Sequence, residues 1–257
     1  MEQQHDFTKG PILPLLLRFA LPVLIGVGAA MLLRRQRRGK VNEEATSWKE
    51  PEEPTFDGPV YTVDYQEVQP VSDTPDHPLP FGYKTIWMAA ASQDPQQVLR
   101  ALGGRDVRRA NWQTGLQAAG EDANCVFVSP CLDGFVLVIG LPRFPEQGLA
   151  GAFGQVQAFA THRVTEYHAW ARWNGGTLER MYVYDGSRGV VTVQVGEMTA
   201  QEIALGFGRF PQKGREDRCE ANPTEEDVLD LAAAWGVDPR MDAVAYPPSV
   251  GWICTVR

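Results

Sequence analysis

Apolar and polar positions divide this chain into three stretches of unlike pattern. Residues 11–33, PILPLLLRFALPVLIGVGAAMLL, form an apolar run carrying a single charge, Arg18. Residues 41–80 hold no sustained period; only Val60-Tyr61-Thr62-Val63-Asp64-Tyr65 alternates, weakly, and is a candidate to dock as an edge strand. Beyond Phe81, short apolar segments of both periods alternate with breaks marked by glycine and proline.

The third stretch predicts a series of short elements. Thr85-Ile86-Trp87-Met88-Ala89-Ala90 is apolar, led by β-formers, and reads as a strand. Asp94-Pro95-Gln96-Gln97 supplies an N-cap, a first-turn proline and a glutamine at N3; Val98, Leu99 and Leu102 then share a helical side, and Gly103-Gly104 stops it. Trp112, Leu116 and Ala119 recur at helical spacing over 111–119. Residues 125–128 and 135–139 read as strands joined through a turn at 130–134. A helix is expected over about 146–160. Asn174-Gly175-Gly176, between runs 164–173 and 177–184, is the clearest hairpin signal. Residues 190–195 add a strand, and Thr199-Ala200-Gln201-Glu202 opens a short helix. The strongest helix is 224–235, with Thr224 and Asp227 at its cap and Gly236 beyond its end. Irregular alternation with hairpins implies the α+β class: a mostly antiparallel sheet with flanking helices, preceded by one transmembrane helix.

That transmembrane expectation rests on length and flanks. At 1.5 Å per residue a helix over 11–33 spans about 35 Å, against a hydrocarbon core of roughly 30 Å. Residues 1–10 hold one basic side chain, Lys9, whereas Arg34, Arg35, Arg37, Arg38 and Lys40 follow the run directly. Positive charge resists translocation, so the short tail 1–10 is expected outside and everything after the span in the cytoplasm. A signal peptide would carry its charge before the apolar core, not after it. The lipid bilayer is thus an expected partner, and the five basic residues suit anionic headgroups.

Composition narrows the rest. Residues 41–80 hold ten acidic residues, one lysine and seven prolines, which reads as an extended linker. Residues 81–257 then form one globular cytoplasmic domain, long enough to bury a core. The net charge of −8 makes nucleic acid a poor partner. Cys125, Cys131, Cys219 and Cys254 form no C-x-x-C pair and are expected as free thiols. Nothing in the spacing calls for a metal or a cofactor.

Candidate chemistry concentrates in 161–173. Read as one strand, His162, Glu166, His168 and Trp170 share a face. Two histidines and a carboxylate suggest an acid–base pair or a ligand site. His162 and His168 lie about 20 Å apart along a straight strand, too far to share one ion, while Glu166 and His168 are about 7 Å apart and can converge on a small ligand. A three-residue hairpin loop would set His168 opposite Tyr182 and Trp170 opposite Arg180; a two-residue loop would set His168 opposite Met181. The plain alternative is a half-polar sheet face with its side chains satisfied. The ligand-binding candidates are therefore His162, Glu166, His168, Trp170, Arg180 and Tyr182.

Two resemblances add expectations. Asp6-Phe7-Thr8-Lys9-Gly10-Pro11-Ile12, with Leu16-Leu17-Arg18-Phe19-Ala20-Leu21-Pro22, resembles the opening of multidrug and toxic compound extrusion transporters. It covers about 20 residues and implies an anchor rather than transport, because the sequence offers no second span. Phe81-Gly82-Tyr83-Lys84, Ala110-Asn111-Trp112, Val126-Phe127-Val128-Ser129-Pro130, Phe153-Gly154-Gln155-Val156-Gln157, Thr161-His162-Arg163-Val164 and Glu166-Tyr167-His168-Ala169-Trp170 are similar to an uncharacterised bacterial domain, to which no activity attaches. The function expected is a membrane-anchored protein whose cytoplasmic domain binds a protein or a small ligand. The alternatives are a tethered enzyme using His168 and Glu166 as acid and base, or an immunity-like protein that sequesters a toxin.

Overall fold

A computed structural model of the chain describes residues 70–256. The expected transmembrane helix over 11–33, the basic residues Arg34, Arg35, Arg37, Arg38 and Lys40, and most of the acidic linker lie outside the described residues.

Among the described residues, nine strands join in one sheet. They are β1 (Ile86–Ala91), β2 (Arg105–Asn111), β3 (Cys125–Leu132), β4 (Phe135–Ile139), β5 (Gln155–His162), β6 (Tyr167–Asn174), β7 (Thr177–Asp185), β8 (Val190–Val195) and β9 (Val250–Thr255). Their spatial order is β2-β9-β3-β4-β1-β5-β6-β7-β8, and every neighbouring pair is antiparallel. The helices are short: α1 (Pro95–Leu102), α2 (Trp112–Glu121), α3 (Gln147–Ala150), α4 (Ala200–Ala204) and α5 (Glu225–Trp235).

This corrects the expected class. The domain is sheet-dominated, with one continuous nine-stranded antiparallel sheet and few helices. Among the described residues no helix is long and apolar enough to cross a membrane. The helix expected over 146–160 is also corrected. Only Gln147–Ala150 is helical, and Gln155–His162 is a strand in the interior of the sheet. Gly151 and Gly154 interrupt the helical period, and Gln155-Val156-Gln157 alternates at strand period before both of its faces become buried. Strands β2 and β9 had no apolar alternation to announce them.

Local chemistry accounts for the helices. The Asp94 side chain accepts the Gln96 N–H at 2.8 Å, Pro95 opens α1, and Gly103 ends it at φ +64°. Thr224 and Asp227 form a complete capping box on α5, whose first turn carries Glu225, Glu226 and Asp227 against the positive end of the helix dipole. At α2 the cap is doubled. Asn111 accepts the Thr114 N–H, and the Asp76 carboxylate accepts the N–H groups of Trp112 and Gln113 at 2.7 and 2.9 Å.

Both faces of the sheet are covered, and they differ in side-chain size. One face carries Trp87, Phe127, Leu137, Phe159, Trp170, Tyr182 and Tyr184 and packs with α2 and α5. Trp87 stacks on Phe159 at 5.2 Å and Phe159 meets Trp235 of α5 at 5.5 Å, contacts that add about 0.5–1.5 kcal/mol each beyond area burial. Gly115 of α2 lies so close to β3 that a Cβ there would sit 2.3 Å from the Phe127 ring. The other face is richer in small and β-branched residues, among them Ala90, Ala158, Ala160, Ala169, Ala171 and Val136, with Met88, Trp173 and Met181 as larger members, and it joins Val98 and Leu99 of α1 and Ala150 of α3. Strand-period alternation between bulky and small side chains is what separates the faces.

Candidate functional site

The run 161–173 is two strands. β5 ends at His162, the Thr165 N–H closes a turn onto the His162 carbonyl, and β6 starts at Tyr167. Glu166 sits in that turn at φ +50°. It lies against Gly186, where a Cβ would come within 2.2 Å of the Glu166 side chain, so the β5–β6 and β7–β8 turns interlock. The reversal brings the histidines near in space but sets them on opposite faces. His162 pairs with Tyr167, whereas Thr161 pairs with His168. His162 instead shares a 2.9 Å hydrogen bond between Nδ1 and Thr165 Oγ1.

His168 is enclosed, only 1% exposed, beside Tyr184 of β7. Its Nε2 meets Glu166 Oε2 at 3.4 Å, and its Nδ1 has no hydrogen-bond partner. Burial pulls its pKa below the ordinary value of 6.5; hydrogen bonding to Glu166 and the charges of Glu166, Glu225 and Asp227 oppose this and do not overcome it. The ring is therefore neutral at neutral pH. Glu166 is 62% exposed at its side chain, whereas the imidazole it meets is buried, so the pair presents a carboxylate and not a histidine to solvent.

The other three candidates belong to the core. Trp170 faces Tyr182, not Arg180, and the two rings stack at 4.4 Å and 17°. Neither register considered from the sequence occurs. The hairpin turns on Gly175-Gly176 with Asn174 opposite Thr177, and an irregularity after Arg172 then slides the pairing by one residue. Arg180 reaches instead to Glu202 of α4, a residue the sequence placed only at the opening of a short helix. Arg180 Nε donates to both carboxylate oxygens at 2.9 and 3.1 Å, Nη2 adds a contact of 2.8 Å, and Trp170 Nε1 donates to Oε1 at 2.8 Å. The Thr199 N–H closes the capping box on Oε2, while Arg180 Nη1 donates to the carbonyls of Val195 and Gly196 at the end of β8. Both partners are buried, and the carboxylate is fully served. The Tyr182 hydroxyl donates to the Pro211 carbonyl at 2.9 Å, and burial raises its pKa well above the ordinary tyrosine value. Trp170, Arg180 and Tyr182 thus clamp α4 and the segment after it onto β6–β8.

No candidate residue lines the cavity of about 280 Å³ formed by Ala101, Leu102, Leu141, Phe144, Leu149 and Val256. Among the described residues no group of three or more His, Cys, Asp or Glu side chains could hold a metal ion.

The open chemistry lies at the sheet margin. β2 is an outer strand, and residues Arg105 through Arg109 are all exposed. The Asn111 N–H donates outward to the Ser72 carbonyl at 2.7 Å. Alternate residues of an antiparallel strand turn their backbone groups to the same side, so Arg109 also presents its N–H and C=O outward. Beyond Ser72, among the described residues, that edge has no strand partner. Arg108 and Arg109 emerge on opposite faces, and the Arg109 guanidinium lies 4.5 Å from the Trp252 ring centroid. Among the described residues Arg105, Arg108 and Arg109 have no ion-pair partner. The sequence reading missed this strand because RDVRRAN has no apolar face; its only signal is the cluster of three arginines in an acidic chain.

No family model matches the chain, and no curated protein or solved structure matches it.

Proposed function

We propose that this domain is a binding module that takes up an extended peptide segment along the outer edge of β2. The carrying observation is that edge: an outer strand with an outward-facing backbone amide and carbonyl at Arg109, flanked by exposed side chains on both faces. The side chains that first suggested chemistry support the same reading. Arg180, Glu202, Trp170 and Tyr182 spend their polar groups on one another and on the backbone, and His168 is buried.

The test compares two substitutions at one position. Arg109→Ala keeps the backbone N–H, while Arg109→Pro removes it, and proline is tolerated on an outer strand where that N–H faces solvent. Full-length chain is titrated against fluorescein-labelled ten-residue peptides of β-forming sequence with acidic, neutral or basic charge, followed by anisotropy. Circular dichroism verifies that both variants fold. The expected result is binding of at least one peptide that Arg109→Pro weakens about tenfold more than Arg109→Ala, the loss of one well-formed backbone contact. Equal binding by the two variants, or no binding by any peptide, overturns the reading.

A further inference from the structure

We infer that the segment received at β2 is acidic and carries carboxylates on two consecutive residues; this rests on the edge-binding reading above. Consecutive residues of an added strand point to opposite faces of the sheet. Arg108 and Arg109 do the same, so one carboxylate meets Arg108 on the face that carries Ala110 and α2, and its neighbour meets Arg109 on the face that carries Trp252. The cation–π contact of Arg109 with the Trp252 ring, 4.5 Å to its centroid, restrains the guanidinium and lowers the ordering cost of a carboxylate contact. Arg105 extends the basic row past the irregularity in β2, where Asp106 adopts φ +52°.

Charge also excludes the competing occupants. A second copy pairing β2 with β2 would set arginines against arginines, and like charges directly opposite are destabilising. Nucleic acid would meet three arginines on a chain of net charge −8 and would not use the backbone edge. An acidic strand uses both the amide ladder and the guanidinium groups, and these short-range contacts at β2 act against the general repulsion from a chain of net charge −8.

The probe is a labelled ten-residue peptide of valine and threonine with two adjacent central glutamates, and its counterpart with two glutamines. Both are titrated into full-length chain. The glutamate peptide is expected to bind about tenfold more tightly, and Arg108→Glu and Arg109→Glu each to weaken it about fivefold while leaving the glutamine peptide little changed. Raising ionic strength from about 0.05 to 0.5 M shrinks the preference, as exposed pairs are screened. Equal binding of the two peptides, still sensitive to Arg109→Pro, overturns the acidic specificity and leaves edge binding standing. Loss of sensitivity to Arg109→Pro removes both. Sedimentation showing a dimer that Arg109→Pro dissociates would make a second copy the occupant and overturn the inference.

Discussion

The two margins of the sheet are finished in opposite ways. At the β8 margin the loop that follows α4 folds back over the outer strand. Glu216 accepts the Val191 N–H, Gln212 accepts from Gln194, and the Lys213 N–H donates to Gln194. Behind it, Arg180 ties the end of β8 to Glu202 in the core. At the β2 margin, beyond Ser72, none of the described residues covers the strand, and its side chains are charged and solvated. An outer strand is a template for further pairing, and natural sheets cover it, twist it or charge it. Covering β8 and leaving β2 open, with arginines that discourage self-pairing, separates a structural margin from a receiving one.

The largest test of that contrast is Arg180→Met. It leaves the Glu202 carboxylate buried without its main partner and should cost about 3–5 kcal/mol in urea unfolding. Arg180→Met combined with Glu202→Leu should recover much of the loss, because no orphaned charge remains. A single variant as stable as the parent would break the claim that this margin is locked from within.

His168 comes next. Its folded pKa is depressed by burial, so the unfolded chain binds the proton more readily and stability rises with pH through that interval. The melting temperature should hold above pH 6.5 and fall as pH drops below it, flattening once the folded pKa is passed. His168→Gln should show a shallower fall between pH 7 and 5; an unchanged slope would remove His168 from the account.

A smaller effect is expected at Glu216, whose pKa is lowered chiefly by backbone hydrogen bonds, its own N–H and that of Gly214. The contact on Val191 is present above the ordinary carboxylate pKa of 4.5 and lost as pH falls through the lower folded value. Glu216→Gln should speed hydrogen exchange at the Val191 amide without moving that of Val183 in the sheet interior. Smallest of all, Arg108→Glu should leave stability within about 0.5 kcal/mol and Arg109→Glu within about 1 kcal/mol, the loss of an exposed cation–π contact with Trp252. A larger loss would make the β2 arginines structural and erase the difference between the margins.

How far the fold was legible depends on the kind of signal. α1, α5 and the β6–β7 hairpin announced themselves through caps and turn glycines, which act over three or four residues. β5 was misread because Gly151 and Gly154 were outweighed by helix formers, and its true period shows only in Gln155-Val156-Gln157. The hairpin register was out of reach, because the irregularity after Arg172 has no turn residue to mark it. Among the candidate residues, the contact of Glu166 with His168 was not legible from a spacing of about 7 Å along one strand, because Glu166 lies in the turn before β6. Nor was the burial of His168, which comes from its place on an interior strand between Thr161 of β5 and Tyr184 of β7.

By itself the sequence determined some of the pieces: where α1 and α5 start and stop, the runs of β1, β3, β4 and the β6–β7 hairpin, and an acidic chain with arginine clusters at 34–38 and 105–109. These follow from short-range chemistry, the capping of free N–H groups and the period of apolar positions. Only the tertiary structure decided what each charged residue is for. Arg180 and Arg109 look alike in sequence. One lies on an interior strand, β7, between β6 and the outer strand β8 and opposite α4, where desolvation demands a carboxylate partner; the other lies on an outer strand, where water can serve as its partner until another strand arrives. Strand order sets that difference, and strand order is a long-range property that no local pattern encodes.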